Sequence, residues 1–503
     1  MIKDLNSLKK FFKEKVNFPI FGAGVYAFHR LGPEEFLANY RILALRRSLD
    51  GELIKKDIKV ISVEKSLGTK HIRDPRNATT LLDHPKIKKY LQNFEDAKNE
   101  INILVYKASS KMEKAAQKNN WNLMTPPVKF GKELFENKIK FRKILEDLNV
   151  SVPPGKITSL NKLHYGHLIN SYGLPFVIQH PTKGGGKGTF FIKNHEDFEN
   201  AYQKLKEPIK ETYLGEQKEE PTEEVIVTGF IEGPSPSITG CVTRHGIIST
   251  NLQYQILDMP ELYSPEKGSG LFCGHDWSAS DFSEEINKQA YHAIEKVGNY
   301  FKEQGYKGIF GLDFIMDKKS KKLYITEANP RLLGSFPTLS MVQIKNNETP
   351  MIAFHILEYL NINYEIDINS INNLIRQKKQ GAQMILHNLN NKWSRIGKTV
   401  KAGIYQLDKN GKPKFLRPGY KLQHLAKKYE FLVTEGILIK KSHLSPNRRL
   451  CRILTLNKVL ETHKELTPWA KTVTEELYKE FKLKPIKFIK FKKIFNPHFI
   501  SKG

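Results

Sequence analysis

The stretch Ile309–Ser335, IFGLDFIMDKKSKKLYITEANPRLLGS, reads as two β-strands joined by a charged turn. The turn centre lies near position 320, and Asp313 and Glu327 are equidistant from it. Side chains on a strand repeat every second residue, so antiparallel pairing places Asp313 opposite Glu327 or Asn329. Two carboxylates and an amide oxygen are hard donors, which predicts a site for Mg²⁺ (or Mn²⁺). Arg331 follows two residues later and could stabilise charge developing on a transferred phosphoryl group.

A solvent-facing acidic hairpin is the structural alternative for this stretch. It is disfavoured because Glu327 lies near Ile325 and Ala328 in a largely apolar strand, where an unpaired carboxylate is costly.

A second hairpin is predicted in Pro175–Ile192, PFVIQHPTKGGGKGTFFI, with strands at 176–179 and 189–193. Lys187 is followed by Gly188 and then by strand-forming residues, which excludes a Walker A loop and a Rossmann fingerprint because both need a helix there. A glycine-rich hairpin can lay backbone N–H groups over phosphates as a lid. Taken alone, the stretch is better explained as an ordinary flexible hairpin turn.

Composition predicts a globular protein of about three domains, at ~150 residues each. The chain has 503 residues, of which 39% are hydrophobic, and it lacks a signal-peptide pattern or an apolar run of membrane-spanning length. Three widely spaced cysteines predict neither disulfides nor a cysteine metal site. We therefore expect a cytoplasmic protein without a transmembrane segment. The net charge of +28 comes from lysines spread over the whole length, so we expect no specific nucleic-acid partner.

Further elements are predicted from periodicity. Helices are expected at 34–49, 134–150, 195–207 and 283–305, and strands at 58–65, 102–109 and in three segments of 225–250. Leu271–Ser280 is interpreted as a polar loop.

Because of these motifs, the chain resembles the ATP-grasp superfamily of biotin carboxylase, D-alanine–D-alanine ligase and peptide-forming carboxylate–amine ligases. GLDF…EANPR is similar to the metal-binding hairpin of that superfamily, and FVIQHPTKGGGKGTFFI to its phosphate loop. ENKIKFRKILEDLNVSVPPG is similar to its first helix, and EVIVTGFIEGPSPSI to the strand whose backbone meets adenine. The four elements occur in the family's order, over roughly 132–335.

The resemblance implies an α/β (α+β ATP-grasp) fold: a small N-terminal α/β domain (1–125), a two-lobed ATP-grasp core (126–345) and a C-terminal α+β domain (346–503). It also implies ATP and Mg²⁺ (or Mn²⁺) as cofactors, with Asp313, Glu327 and Asn329 as metal ligands. Arg331 and Lys187 are the candidate catalytic residues. The candidate nucleotide-binding residues are Lys138, Gln179, Lys183, Gly184, Gly185, Gly186, Gly188, Thr189, Thr228, Gly229, Phe230 and Ile231.

Two positions depart from the family pattern. Gln179 stands where a second phosphate-binding lysine is usual, and Thr228 where an acidic residue is usual. Lys183 or Lys187 could substitute for the missing lysine. His275 and Asp276, with Arg73 and Arg76 in the polar stretch His71–Pro85, are candidate substrate contacts; a surface loop with a helix cap is the alternative for 271–280.

The implied function is an ADP-forming ligase that activates a carboxylate as an acyl phosphate and joins it to an amine, with amino acids or peptides as substrates. A homodimer is compatible with the resemblance. Two alternatives stay open: a biotin-type carboxylase or thiol ligase, and a catalytically degraded nucleotide-binding protein. The chain contains no Met-Lys-Met tripeptide for biotin attachment, and its complete hairpin motif opposes the degraded protein.

Overall fold

The structure, a computed structural model, describes residues 1–64, 77–94, 100–183, 188–207, 222–263 and 270–486. Its N-terminal part is built on a parallel sheet whose strands are nearly all apolar and buried, as expected for a sheet covered on both faces. The strands are β1 (Ile20–Gly24), β2 (Tyr40–Ala44), β3 (Lys59–Ser62), β4 (Ile101–Leu104) and β5 (Trp121–Met124), in the order β3-β2-β1-β4-β5.

A small antiparallel sheet follows, in the order β6-β9-β7-β8. Its strands are β6 (Gly155–Ser159), β7 (Phe176–Gln179), β8 (Thr189–Ile192) and β9 (Glu224–Gly229). The hairpin predicted at 176–193 is confirmed, with Gln179 paired to Thr189. Helices α7 and α8, at Tyr165–Tyr172 and His195–Lys206, pack on this sheet around a core that includes Phe176.

A large sheet contains the predicted hairpin of Ile309–Ser335. The path runs β15-β14-β10-β12-β13-β16-β22-β20-β18-β19, and β11 pairs with β10. These strands are β10 (Pro236–Thr243), β11 (Gly246–Ser249), β12 (Gln253–Leu257), β13 (Phe272–Asp276), β14 (Gly308–Met316), β15 (Leu323–Asn329), β16 (Ala382–His387), β18 (Gly403–Leu407), β19 (Pro413–Arg417), β20 (Phe431–Thr434) and β22 (Arg449–Thr455). The sheet thus continues past position 345 into the C-terminal part of the chain.

The remaining elements complete the chain. Two smaller sheets contain β17 (Ser394–Arg395), β21 (His443–Leu444) and β25 (Lys484–Pro485), and β23 (Leu460–Thr462) and β24 (Glu465–Leu466). The other helices are α1 (Leu5–Lys15), α2 (Leu49–Asp57), α3 (Ala78–Leu82), α4 (Pro85–Gln92), α5 (Ser110–Lys118), α6 (Lys138–Asp147), α9 (Glu284–Glu303), α10 (Thr338–Lys345), α11 (Met351–Leu360), α12 (Ile368–Ile375) and α13 (Pro468–Phe481). Within the described ranges, no helix combines the length and apolar character needed to cross a bilayer.

One buried histidine holds the parallel sheet against the large sheet. His355 Nδ1 accepts from the Ile309 amide at 3.0 Å, and Nε2 lies 3.1 Å from the Met124 carbonyl oxygen. Burial lowers the pKa of His355 to about 4, so the ring is neutral and donates from Nε2. The contact fixes the end of β5 beside the start of β14.

The helix predicted at 34–49 is wrong. Residues 40–44 form strand β2 in the middle of the parallel sheet, and α2 begins only at Leu49. The sequence YRILA is locally compatible with a helix or with a strand. Its pairing with β1 and β3 makes it a strand.

Candidate active site

The hairpin β14–β15 brings together the three predicted metal ligands, and we call it the metal hairpin. Asp313 lies opposite Glu327, which selects one of the two predicted pairings, and Gly311 lies opposite Asn329. Asp313 Oδ2 accepts from Asn329 Nδ2 at 2.8 Å, and Asp313 Oδ1 accepts from Gln255 Nε2 at 2.8 Å. The two carboxylates and the amide therefore share one face of the sheet.

The electrostatics of this face suit a divalent cation. Burial, and next the neighbouring Glu327 carboxylate, raise the pKa of Asp313 well above its ordinary value. A cation between the carboxylates would relieve that repulsion, and hard oxygen donors are those that Mg²⁺ and Mn²⁺ prefer. In the described part of the chain no group of three or more His, Cys, Asp or Glu side chains forms a candidate metal site, and the hairpin itself supplies two carboxylates. The donor set thus fits the predicted cation, with the Asn329 amide as the third ligand.

Lys138 connects the metal hairpin to the base of the glycine loop. It is the first residue of α6, which Asn137 caps by accepting from the Ile139 and Lys140 amides. Its ammonium group lies 3.0 Å from Glu327 Oε2 and donates to the Lys183 carbonyl at 3.3 Å. The side chain is only 8% exposed. A cation is therefore held between the metal hairpin and the base of the glycine loop.

Arg331 is tied to the hairpin and to the N-terminal sheet. Nη2 donates to Asn329 Oδ1 at 2.6 Å, and Nη1 donates to the Tyr106 hydroxyl at 2.6 Å. Nε lies 3.5 Å from Glu136 Oε1, and Glu136 also pairs with Lys107 at 2.6 Å. Burial alone would raise the pKa of Glu136, but Lys107 and Arg331 together lower it. Arg331 is thus held in place beside the metal ligands.

Sequence reasoning missed four of these neighbours: Tyr106, Lys107, Glu136 and Gln255. Glu136 lies two residues before Lys138, which is the one available sequence signal. The others reach the site through the packing of distant strands, which no local pattern shows.

A small cleft between the small sheet and the metal hairpin contains three of the predicted nucleotide residues. Lys138, Gln179 and Thr228 line it together with Arg142, Ile226 and Ile325. Gln179 Nε2 contacts Thr189 Oγ1 at 3.4 Å, across the base of the loop. Charged, polar and apolar side chains thus meet in this cleft.

The predicted nucleotide residues Gly229, Phe230 and Ile231 follow Thr228 directly in the chain. The Gly229 amide donates to the Pro154 carbonyl at 3.0 Å, and Ile231 is half-buried. Phe230 is 42% exposed and meets the Phe191 ring edge-on.

The loop is described at its two ends. Gly188 closes it with its carbonyl, which accepts from the His180 amide at 2.8 Å, and a Cβ there would meet Lys183 Cβ at 2.5 Å. Gly184, Gly185, Gly186 and Lys187 lie outside the described residues, as do Arg73 and Arg76.

Leu271–Ser280 is not the polar loop predicted from the sequence, because 272–276 form strand β13. Asp276 is fully buried and accepts from the backbone amides of Ala279, Val459 and Leu460. His275 is 4% exposed, and its Nδ1 lies 2.9 Å from Gln383 Nε2. Burial lowers the pKa of His275 to about 3, so the ring is neutral. Asp276 thus stabilises the local backbone through these hydrogen bonds. A substrate contact by His275 or Asp276 stays a prediction.

Comparison with known proteins identifies the family of the central part of the chain. Residues 135–335 match the family model of the ATP-grasp domain, so this part of the chain is an ATP-grasp domain, as the resemblance predicts. A D-alanine–D-alanine ligase of Fusobacterium nucleatum is 27% identical over 156 residues, which is 31% of this chain and 45% of that protein. The chain thus matches less than half the length of that relative.

Solved structures share the fold over most of the chain. The biotin carboxylase domain of Hydrogenobacter thermophilus 2-oxoglutarate carboxylase, solved with MgADP and bicarbonate, has a TM-score of 0.54 and 14% identity, covering 88% of this chain and 86% of that one. Phosphoribosylamine–glycine ligase from Thermotoga maritima has a TM-score of 0.54 and 15% identity, covering 93% and 97%. At this identity the likeness establishes the fold alone.

Proposed function

We propose that this chain, which carries an ATP-grasp domain, is an ATP-dependent, ADP-forming ligase that joins a carboxylate to an amine. The observation that carries the proposal is the metal hairpin, where Asp313 faces Glu327 and Arg331 is fixed beside both. Amino acids or peptides are the proposed substrates. The D-alanine–D-alanine ligase and the phosphoribosylamine–glycine ligase are carbon–nitrogen ligases by name, which supports this choice.

In the proposed reaction the substrate carboxylate attacks the γ-phosphorus of ATP and ADP leaves, which gives an acyl phosphate. The amine then attacks the acyl carbon, phosphate leaves, and the amide forms after the amine loses a proton. Mg²⁺ (or Mn²⁺), held by Asp313, Glu327 and Asn329, would neutralise phosphate charge.

The residues of the chain have distinct tasks in this scheme. Lys138, at the floor of the cleft, binds nucleotide phosphate. Gln179, Lys183, Gly188 and Thr189 surround the base of the loop, whose closure would exclude water from the acyl phosphate. The Arg331 guanidinium stabilises the charge on the transferred phosphoryl group.

The adenine-binding edge is assigned to the end of β9. Thr228 lines the cleft, and the backbone of Gly229, Phe230 and Ile231 follows it. Lys187 keeps its proposed catalytic part.

The test is ADP release from Mg·ATP with pooled amino acids, read together with mass spectrometry of the products. We expect a new mass equal to two pool members minus water, appearing with ADP. Glu327→Gln should abolish ADP release and retain measurable nucleotide binding, while the exposed control Glu303→Gln should match the wild type.

Two other results would overturn the proposal. Nucleotide binding without ADP release in any pool would indicate a degraded binding protein. ADP release that requires bicarbonate and no amine would indicate a carboxylase.

A further inference from the structure

A row of polar side chains, of which three are buried and one is half-buried, crosses the large sheet from the metal hairpin. Gln255, His275 and Gln383 lie directly opposite one another on β12, β13 and β16. Gln255 donates to Asp313, His275 contacts Gln383, and Gln383 Oε1 accepts from Arg452 Nη1 on β22. We call these four residues the polar row. Buried polar groups are costly unless paired. Here Gln255 pairs with Asp313, while His275, Gln383 and Arg452 pair one with the next.

The row ends at a buried carboxylate that gathers cationic groups. Glu435 accepts from Arg452 Nε, lies 3.1 Å from Arg449 Nη1 and 2.9 Å from His29 Nε2. Its side chain is 3% exposed. Burial alone would raise the pKa of Glu435, but Arg452 and Arg449 outweigh it and hold the pKa well below its ordinary value. Glu435 is therefore ionised and fixes the orientation of its partners.

Positive charge exceeds negative charge in this cluster. Arg448 adds a third guanidinium, whose Nη2 donates to the Tyr26 hydroxyl at 3.1 Å. Burial lowers the pKa of His29, so the ring counts as neutral. Asp50 accepts a hydrogen bond from the amide of Ile437, two residues after Glu435. Even with Asp50 ionised, three guanidinium groups face two carboxylates.

Part of the cluster faces solvent. The Arg449 side chain is 44% exposed and that of His29 25%, whereas Arg452 is buried. Arg449 makes one side-chain hydrogen bond within the described residues, to Glu435, so its other N–H groups can bind a ligand.

Arg452 connects the cluster to the segment that follows the metal hairpin. Arg452 Nη1 donates to Thr338 Oγ1 at 3.2 Å, at the start of the helix that follows the metal hairpin. The Tyr106 hydroxyl accepts from Arg331 and interacts electrostatically with Arg452 and with Arg30. Arg331 and the buried side of the cluster therefore share Tyr106 as an electrostatic neighbour.

We propose that Arg448 and Arg449, organised by Glu435, bind an oxyanion on the substrate, remote from the bond that is formed. The inference rests on the proposed ligase function and narrows its substrate class to acids or peptides that carry a second carboxylate or a phosphate. Guanidinium groups suit such oxyanions because their N–H donors match two oxygens at once.

The test titrates the full chain with succinate and with inorganic phosphate, by calorimetry at constant ionic strength and with saturating Mg·ADP. We expect one saturable site in the wild type and at least tenfold weaker binding in Arg449→Gln, with partial recovery in Arg449→Lys. Arg395→Gln removes an exposed guanidinium elsewhere and should bind as the wild type does.

Equal binding in all variants, or no saturable binding to the wild type, would overturn the subsite. The ligase proposal fails separately, through absent ADP release, and repeating the titration without nucleotide still tests the subsite. If ligation occurs but only neutral substrates are used, and Arg449→Gln leaves their KM unchanged, the ligase stands and the subsite falls.

Discussion

The Lys138 ammonium lies 3.0 Å from Glu327 Oε2, so a residue assigned to nucleotide phosphate is paired with a residue assigned to the metal. In this arrangement the ammonium group supplies the positive charge that Glu327 needs. A metal ion at Glu327 and a phosphate at Lys138 would each compete with the ion pair, so nucleotide and metal should promote each other's binding.

Replacing Lys138 by methionine distinguishes its pairing with Glu327 from its proposed binding of nucleotide phosphate. We expect Lys138→Met to bind Mn²⁺ several-fold more tightly without nucleotide, because Glu327 loses its competing cation. ADP should bind about 10- to 100-fold more weakly, since a charge-assisted hydrogen bond contributes about 1.5–3 kcal/mol. Electron paramagnetic resonance of free Mn²⁺ and calorimetry with ADP measure the two effects. Lys140→Met, on the exposed side of the same helix, is the control, and unchanged Mn²⁺ affinity in Lys138→Met would contradict the competition.

Arg331→Lys should reduce turnover without weakening nucleotide binding. A lysine cannot reach Asn329, Tyr106 and Glu136 together, because it lacks the planar fork of the guanidinium group. We expect kcat to fall by about 10²–10³, with the Kd for ADP unchanged. Tyr106→Phe removes a single partner and should cost less. A loss of ADP affinity equal to the loss in kcat would instead make Arg331 a ground-state binding residue.

The two hairpins could be predicted because their contacts are local. In the metal hairpin the turn centre sets which residues face each other, so Asp313 and Glu327 follow from counting. The neighbours of the hairpin could not be predicted in this way. Tyr106 and Gln255 come from strands far away in the chain, and only the tertiary fold brings them to Arg331 and Asp313.

The two wrong local predictions have a common cause. Polar residues at 272–276 look exposed in sequence, but neighbouring elements satisfy them: Gln383 pairs with His275, and backbone amides pair with Asp276. Residues 40–44 fit a helix locally, but the parallel sheet gives them two strand partners. In both places tertiary pairing overrides the local pattern.

The buried ion pair of Glu348 and Lys379 should matter greatly for stability. The two side chains are 2% and 0% exposed, and their charged atoms lie 2.9 Å apart. Burial raises the pKa of Glu348 and lowers that of Lys379, so burial disfavours the charged form of each group when its partner is absent. Lys379→Met should therefore destabilise the protein by about 3–5 kcal/mol.

Chemical denaturation followed by circular dichroism measures this change. The double variant Glu348→Gln/Lys379→Met should recover much of the loss, because no uncompensated charge stays buried. Lys378→Met is the control: this neighbour is 61% exposed in its pair with Asp281, and we expect a change within about 0.5 kcal/mol. A double variant as unstable as Lys379→Met would show that packing, and not charge, explains the loss.

Asp50 provides a prediction about pH. Its carboxyl group is fully buried at the start of α2; Oδ1 accepts from the Ile437 amide, and Oδ2 has no hydrogen-bond partner among the described residues. Burial raises the pKa of Asp50 to about 6. The folded protein thus holds this proton more tightly than the unfolded chain, so the contribution of Asp50 to stability is greatest below about pH 4 and is lost as the pH rises to about 6. Above that pH the buried charge costs up to about 3 kcal/mol.

Asp50→Asn removes this cost, so it should raise the free energy of unfolding by about 1–2 kcal/mol more at pH 7.5 than at pH 4.5. The exposed Asp147→Asn should show no such difference. Urea unfolding at both pH values measures the gain, and an equal effect of Asp50→Asn at the two would mean that the carboxyl group ionises normally in the folded protein.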